Sequence, residues 1–240
     1  MSISKNELRQ VASLSRKKFR DETGLFVVEG EKLVAEALAS DFEVVKVYRK
    51  DEIGKEAMGR LSGLSSPSPV LAVVKQNAAR AAALPRKGLF LALDGIRDPG
   101  NLGTILRIAD WFGLDGVYAS PDTVELYNPK VVQATMGAIF RVPFFVTDIP
   151  GFCREICAGG GHVYGTFLDG ENLYSKTLDA GQSAPSVIVI GNEANGISRE
   201  TAACVSDRLF IPPYPADDPG SESLNAAVAT AITVAEFRRR

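Results

Sequence analysis

The sequence predicts an α/β protein of two domains, the larger one built on a mostly parallel sheet. Three observations carry this. Short apolar runs of β type alternate with segments of helical period along most of the chain. One stretch, Gln76–Gly88, breaks that rhythm: it is Ala-rich, then Pro-containing, then basic, and reads as a linker. Three Gly-punctuated loops, opening near Leu93, Gly191 and Ile211, follow or end predicted strands. The carboxyl ends of strands are where open α/β sheets build ligand sites.

The expected division is residues 1–76, a linker over 77–88, and residues 89–240. In the first part, Ser4 to Ser15 reads as a helix. Ser4 can cap it, Glu7 sits at the capping-box position, and Leu8, Val11, Ala12 and Leu14 form the apolar stripe. Leu25–Val28 is a short strand, and Gly30 turns the chain into a helix over Glu31–Ala39. Val44–Tyr48 is a strand, Asp51–Leu61 a helix, and Val70–Val74 the closing strand. These elements suffice for a small α/β domain.

The second part opens with the strand Leu89–Leu93 and a helix over Leu102–Phe112. Then come strand Gly116–Ala119, helix Pro129–Ile139, strand Val142–Val146, helix Phe152–Ala158 and strand His162–Phe167. Strands Val187–Ile190 and Leu209–Ile211 and a long helix from Leu224 to Arg239 complete it. Such alternation argues a parallel sheet covered on both faces.

Composition narrows the function classes. With 45% hydrophobic and 23% charged residues in 240, the chain is ordinary globular material. Its apolar runs are too short to span a membrane, and MSISKNELRQ lacks the apolar core of a signal peptide, so a cytoplasmic location is expected. Cys153, Cys157 and Cys204 lack the usual zinc spacing, and His162 is the only histidine, so no metal is expected and the thiols are read as reduced. The net charge of −2 is unevenly spread. Lys5, Arg9, Arg16, Lys17, Lys18 and Arg20 face only Glu7 in their interval, which reads either as an electrostatic footprint for phosphate or as a solvated helix face.

The three loops supply the candidate chemistry. Asp98-Pro99-Gly100-Asn101 is a strong turn, and Asn101 can cap the helix that follows. Arg107 lies on that helix away from its apolar stripe, where it can hold a phosphate or pair with Asp110. Gly191-Asn192-Glu193-Ala194-Asn195-Gly196 leaves a strand with free backbone groups at Gly191 and a carboxylate at Glu193. Pro212, Pro213, Pro215 and Pro219 stiffen the third loop, which holds Asp217 and Asp218 and ends at Ser223-Leu224-Asn225. Ser223 reads as an N-cap for the last helix and Asn225 as a first-turn residue. The glycines fit neither the G-x-G-x-x-G fingerprint nor the P-loop, which disfavours a dinucleotide-dependent dehydrogenase.

Taken in order, N-x-G-x-x-x-R (Asn101, Gly103, Arg107), G-N-E-x-x-G (Gly191–Gly196) and I-P…E-S-L-N (Ile211, Pro212, Glu222–Asn225) resemble the SpoU–TrmH family of RNA ribose 2′-O-methyltransferases, within the SPOUT class. The run FVVEGEKLVAEAL is similar to the ribosomal-protein-like substrate-binding module of that family. The resemblance implies a parallel sheet with a C-terminal trefoil knot and S-adenosylmethionine as cofactor. It implies rRNA or tRNA as substrate, and a homodimer. It assigns Gly191, Ile211 and Leu224 to the cofactor, and Asn101, Arg107, Glu193, Ser223 and Asn225 to catalysis. The presence of all five argues against a non-catalytic RNA-binding protein of the same fold. The run Tyr214–Gly220 is longer than the corresponding family segment.

Overall fold

The structure, a computed structural model, describes residues 3–77, 84–215 and 223–239. It divides into two compact units, one of residues 1–78 and 125–141, the other of residues 79–124 and 142–240.

In the first unit, α1 (Lys5–Ser13) starts at Ser4, whose hydroxyl accepts from Glu7 N as expected. A second helix, α2 (Lys17–Thr23), carries Lys17, Lys18 and Arg20 of the basic run and ends at Gly24 in the left-handed conformation. Then come β1 (Leu25–Glu29), α3 (Glu31–Ala39), β2 (Val44–Arg49), α4 (Lys50–Ile53), α5 (Lys55–Leu61) and β3 (Val70–Lys75). The helix expected over Asp51–Leu61 is two helices because Gly54, at φ 87°, ψ 158°, cannot continue an α-helix. The strands form an antiparallel sheet of order β1-β3-β2. Phe26, Val28, Leu33, Val34, Ala37, Ala72 and Val74 form one core cluster; Leu8, Val11, Leu14, Met58 and Leu71 form another.

The segment after Val124 joins this unit rather than the second. Val132 and Ile139 belong to the Phe26 cluster, and the Tyr127 ring packs at a tilt against Phe26, centroids 4.6 Å apart. Its helix α7 (Pro129–Thr135) stops earlier than expected, at Met136 and Gly137, which both have positive φ. A 3₁₀ turn, Ala138–Phe140, follows.

The second unit contains β4 (Gly88–Asp94), α6 (Pro99–Trp111), β5 (Gly116–Ala119), β6 (Phe144–Val146), α8 (Ile149–Ala158), β7 (His162–Asn172), β8 (Pro185–Gly191), α9 (Arg199–Ala202), β9 (Asp207–Phe210) and α10 (Ala226–Arg238). The six strands pair in parallel in the order β6-β5-β4-β8-β7-β9, the sheet type expected. The central strands β4 and β8 are buried along nearly their whole length, as a sheet covered on both faces requires. α10 packs on α6, and Arg238 donates to the carbonyls of Phe112 and Gly113, satisfying acceptors at the end of α6. Among the described residues no helix is long and apolar enough to cross a membrane.

Candidate active site

α6 starts three residues before its expected first turn. Asp98 is its N-cap, with Oδ1 accepting from Asn101 N at 2.8 Å, and Pro99 occupies the first turn, where its missing N–H costs nothing. The Asp-Pro pair was the available signal. Asn101, expected to cap, is therefore inside the helix, and its buried side chain is free for other work.

That side chain joins the three loops. Asn101 Nδ2 donates to Glu193 Oε1 at 2.9 Å, and Asn101 Oδ1 accepts from Asn225 Nδ2 at 2.9 Å. Asn225 Oδ1 accepts from Ala227 N at 2.9 Å and Val228 N at 3.2 Å, so Asn225, not Ser223, is the N-cap of α10. The direction of every amide follows from the two ends. The N–H groups of α10 require an oxygen from Asn225, and an ionised Glu193 requires a donor from Asn101.

The Glu193 loop is built to hold that carboxylate in place. Asn192 and Gly196 exchange two backbone hydrogen bonds of 2.9 Å, closing the turn. Asn192 Oδ1 accepts from the N–H groups of Ala194 and Asn195, while its Nδ2 donates to Gly95 O at 2.6 Å. Just beyond, Ser198 N donates to Asp94 Oδ2 at 2.7 Å. A Cβ at Gly191 would overlap the backbone of Gly196 and Ile197, so only glycine lets the turn close. Glu193 also accepts from Arg97 N and Asp98 N at 3.3 and 3.2 Å. Desolvation pushes its carboxyl upward, but the bonds from the Asn101 side chain and from backbone N–H groups outweigh it, so its pKa lies below the ordinary value.

Arg107 lies on α6 just over two turns from the helix start, exposed, and makes no hydrogen bond or ion pair among the described residues. The alternative pairing with Asp110 is not formed. Thr104 and Trp111 are also exposed on this helix, Trp111 at 85%. Ile211 is half-buried directly after β9; Ser223 and Leu224 are exposed just before the α10 cap. Asp217, Asp218, Pro219, Gly220 and Glu222 lie outside the described residues.

The basic run separates into three groups. Lys5, Arg9 and Arg16 are exposed and unpaired among the described residues. Lys17 and Lys18 are exposed but pair with Asp21 and Glu22 across one turn of α2. Arg20 does not belong to this surface: it is 2% exposed, donates to Leu14 O at 2.7 Å and pairs with Glu125. Through these two partners Arg20 ties α2 to the end of α1 and to the segment after Val124. Among the described residues no group of three or more His, Cys, Asp or Glu is poised to hold a metal. All three cysteines are free thiols, and burial pushes Cys153 up to about 12.

Residues 88–235 match the SpoU rRNA Methylase family, and residues 5–84 the MRM3-like substrate binding domain. The chain is 31% identical to a 23S rRNA (guanosine(2553)-2′-O)-methyltransferase of Bacillus subtilis, over 99% of its own length and 98% of the relative's. A TrmH-family protein of Porphyromonas gingivalis has a structure similar to this one over 100% of this chain and 99% of its own, at 36% identity and a TM-score of 0.88. An AdoMet-bound rRNA methyltransferase of Sinorhizobium meliloti is similar over 100% and 96%, at 29% identity and a TM-score of 0.86. With three ordered motifs joined in one hydrogen-bonded frame and a family match over most of its length, the chain belongs to the SpoU rRNA methylase family.

Proposed function

We propose that this protein transfers a methyl group from S-adenosylmethionine to a ribose 2′-hydroxyl of ribosomal RNA. The observation that carries the reading is the Glu193–Asn101–Asn225 chain, which holds three family motifs together at the carboxyl edge of the sheet. The full-length likeness to a 23S rRNA enzyme favours large-subunit rRNA over tRNA as substrate.

The edge suits the cofactor by its chemistry. The ends of β8 and β9 offer backbone groups at Gly191 and an apolar side chain at Ile211, and Leu224 is 49% exposed beside the α10 cap. Apolar surface and backbone amides match a ligand with an adenine, a ribose and an amino-acid tail but no phosphate. Gly191, Ile211 and Leu224 would hold it. When bound, S-adenosylmethionine supplies an electrophilic methyl on sulfur.

The protein's own residues do the rest. Arg107 has no ion-pair partner among the described residues, and a guanidinium keeps its proton, so it acts by charge and not as a base. It holds the target nucleotide's phosphate and favours the alkoxide as the 2′-hydroxyl loses its proton toward solvent. Glu193, Asn101 and Asn225 act by holding geometry, since their polar atoms are taken up by one another and by backbone. Ser223, exposed two residues before the cap, orients the substrate. Positioning of this kind supplies a large share of a displacement's acceleration.

Three further parts belong to the proposal. The C-terminal segment threads the trefoil knot of the family. Two copies associate through the open face of α6 and α10, where Trp111 and Val228 are 85% and 47% exposed and Ile232 lines an apolar cleft with Phe112 and Tyr174. The N-terminal unit binds RNA through Lys5, Arg9 and Arg16, with Lys17 and Lys18 beside them, in the cytoplasm. The test is calorimetric titration of the purified protein with S-adenosylmethionine and S-adenosylhomocysteine. Micromolar binding of both is expected. Binding of neither would remove the reading.

A further inference from the structure

The connection from β4 to α6, residues 95–98, is held from both sides. From the β8 side, Asn192 Nδ2 donates to Gly95 O at 2.6 Å, and the Glu193 carboxylate accepts from Arg97 N and Asp98 N. From the β5 side, Ser120 Oγ accepts from Gly95 N at 2.8 Å, and Val124 N donates to Ile96 O at 2.8 Å. Gly95 has φ +76°, and a Cβ there would come within 3.1 Å of Asp122 Oδ2. With its backbone groups taken up in this way, the path of the chain through Arg97 is fixed.

One side chain of this connection is left over. Gly95 has none, Ile96 is fully buried, and Asp98 caps α6. The Arg97 side chain is 72% exposed, and its guanidinium makes no hydrogen bond among the described residues. It lies 3.7 Å from Asp122 Oδ2, beyond hydrogen-bond reach, and Asp122 is 59% exposed, so the pair contributes little to stability. Asp122 is itself placed. Its Oδ1 accepts from Ser120 Oγ at 2.6 Å, the same hydroxyl that receives Gly95 N.

A fixed backbone that presents one unengaged cation does little for the free protein. It lowers the entropy lost when a ligand engages that cation. Arg97 leans to the β5 side, across β4 from the ends of β8 and β9, and S-adenosylmethionine carries no phosphate. We propose that Arg97 is a positioning residue for the RNA, that it holds a backbone phosphate beside the target nucleotide, and that Asp122 is the placeholder which this phosphate displaces. A phosphate offers the guanidinium a bidentate pair, which Asp122 at 3.7 Å does not. The neighbouring carboxylates of Asp98 and Glu193 are already taken up by N–H donors. Arg107 lies on the helix that Asp98 caps, about 14 Å along its axis from the cap, so the two cations can grip the strand at different phosphates. The inference rests on the reading that this edge methylates RNA.

The test is binding of an unmodified large-subunit rRNA transcript across a salt series, beside cofactor titration and turnover, for wild type, Arg97→Gln, Arg97→Lys and Asp122→Asn. Arg97→Gln should weaken RNA binding about tenfold and reduce the slope of log affinity against log salt by about 1. Arg97→Lys should restore the slope and only part of the affinity, because an ammonium keeps the charge and lacks the fork. Asp122→Asn should tighten RNA binding by a few fold, since the placeholder loses its charge. In Arg97→Gln the affinity for S-adenosylmethionine and the melting temperature should stay at the wild-type values, and the KM for RNA should rise by more than kcat falls. A wild type that neither binds nor methylates the transcript would overturn the functional reading and this inference with it. An active wild type beside an Arg97→Gln protein of unchanged salt slope and KM would overturn the inference alone. An Asp122→Asn protein that binds RNA more weakly would do the same, since the pair would then be structural.

Discussion

The side-chain nitrogen of Asn225 lies 2.9 Å from Oδ1 of Asn101, although 124 positions separate the two residues in the chain. Through this bond the N-terminus of α10 is joined to α6, and through Asn101 to the carboxylate of Glu193. This edge of the sheet is one hydrogen-bonded object, and disturbing any member is felt at the others.

Asn101 is the middle of that chain and is 9% exposed. Asn101→Ala removes the side-chain donor of Glu193 and leaves Asn225 Nδ2 without its acceptor, and should cost about 1–3 kcal/mol by urea unfolding. Asn101→Asp should cost more near neutral pH, because a second carboxylate then faces Glu193, and the excess should shrink at low pH. Equal costs for the two variants at all pH values would contradict the assigned bond directions.

Glu193 sets a pH dependence. Burial raises its pKa, the bonds from Asn101 and the backbone lower it by more, and the net folded value lies below the unfolded one. A depressed carboxylate stabilises the fold fully above the ordinary glutamate value and ceases to do so as pH falls through the folded value. Comparing wild type with Glu193→Gln should therefore show a stability difference near pH 7 that narrows as acid is added. A difference that widens toward low pH would reverse the sign assigned here.

Gly191→Ala separates loop geometry from cofactor contact. The added Cβ meets the backbone of Gly196 and Ile197, not a movable side chain, so the turn must open. The free protein should lose several degrees in melting temperature, and cofactor affinity should fall with it. Lost affinity with an unchanged melting temperature would mean the position acts on the ligand alone.

The sheet type was legible because its strands are short, apolar and evenly interrupted, which is what a parallel sheet buried on both faces demands. The three motifs were legible because turn chemistry is local. What escaped was long-range. Nothing near Arg20 in the sequence says that its partner is Glu125, and nothing at Pro129 says that its helix packs on β1 and not on the larger sheet. The role of Asn101 was misplaced for a local reason: Asp98 and Asn101 can both cap, and the choice falls to Asp98 because Pro99 favours the first helical position.

The basic surface makes a graded prediction. Changing Lys5, Arg9 and Arg16 to Ala should weaken RNA binding and reduce the slope of log affinity against log salt by about 2–3, as up to three phosphate contacts are lost. Changing Lys17 and Lys18 should do less, because each already has a carboxylate partner in Asp21 or Glu22. Arg20→Ala should lower the melting temperature rather than the salt slope, since Arg20 is buried. An unchanged slope in the first variant would place RNA binding elsewhere.

The central claim is methyl transfer to a ribose oxygen with Arg107 acting on the chemistry. The most direct measurement is nucleoside mass spectrometry of unmodified ribosomal RNA after incubation with S-adenosylmethionine and either wild type or Arg107→Ala, beside cofactor titration of both proteins. The account predicts a single 2′-O-methylated nucleoside with wild type. It predicts almost none with Arg107→Ala, whose affinity for S-adenosylmethionine should stay within a few fold, because the lost interaction is made mainly in the transition state. A methyl group on a base, or an Arg107→Ala protein that loses cofactor affinity in step with its rate, would contradict it.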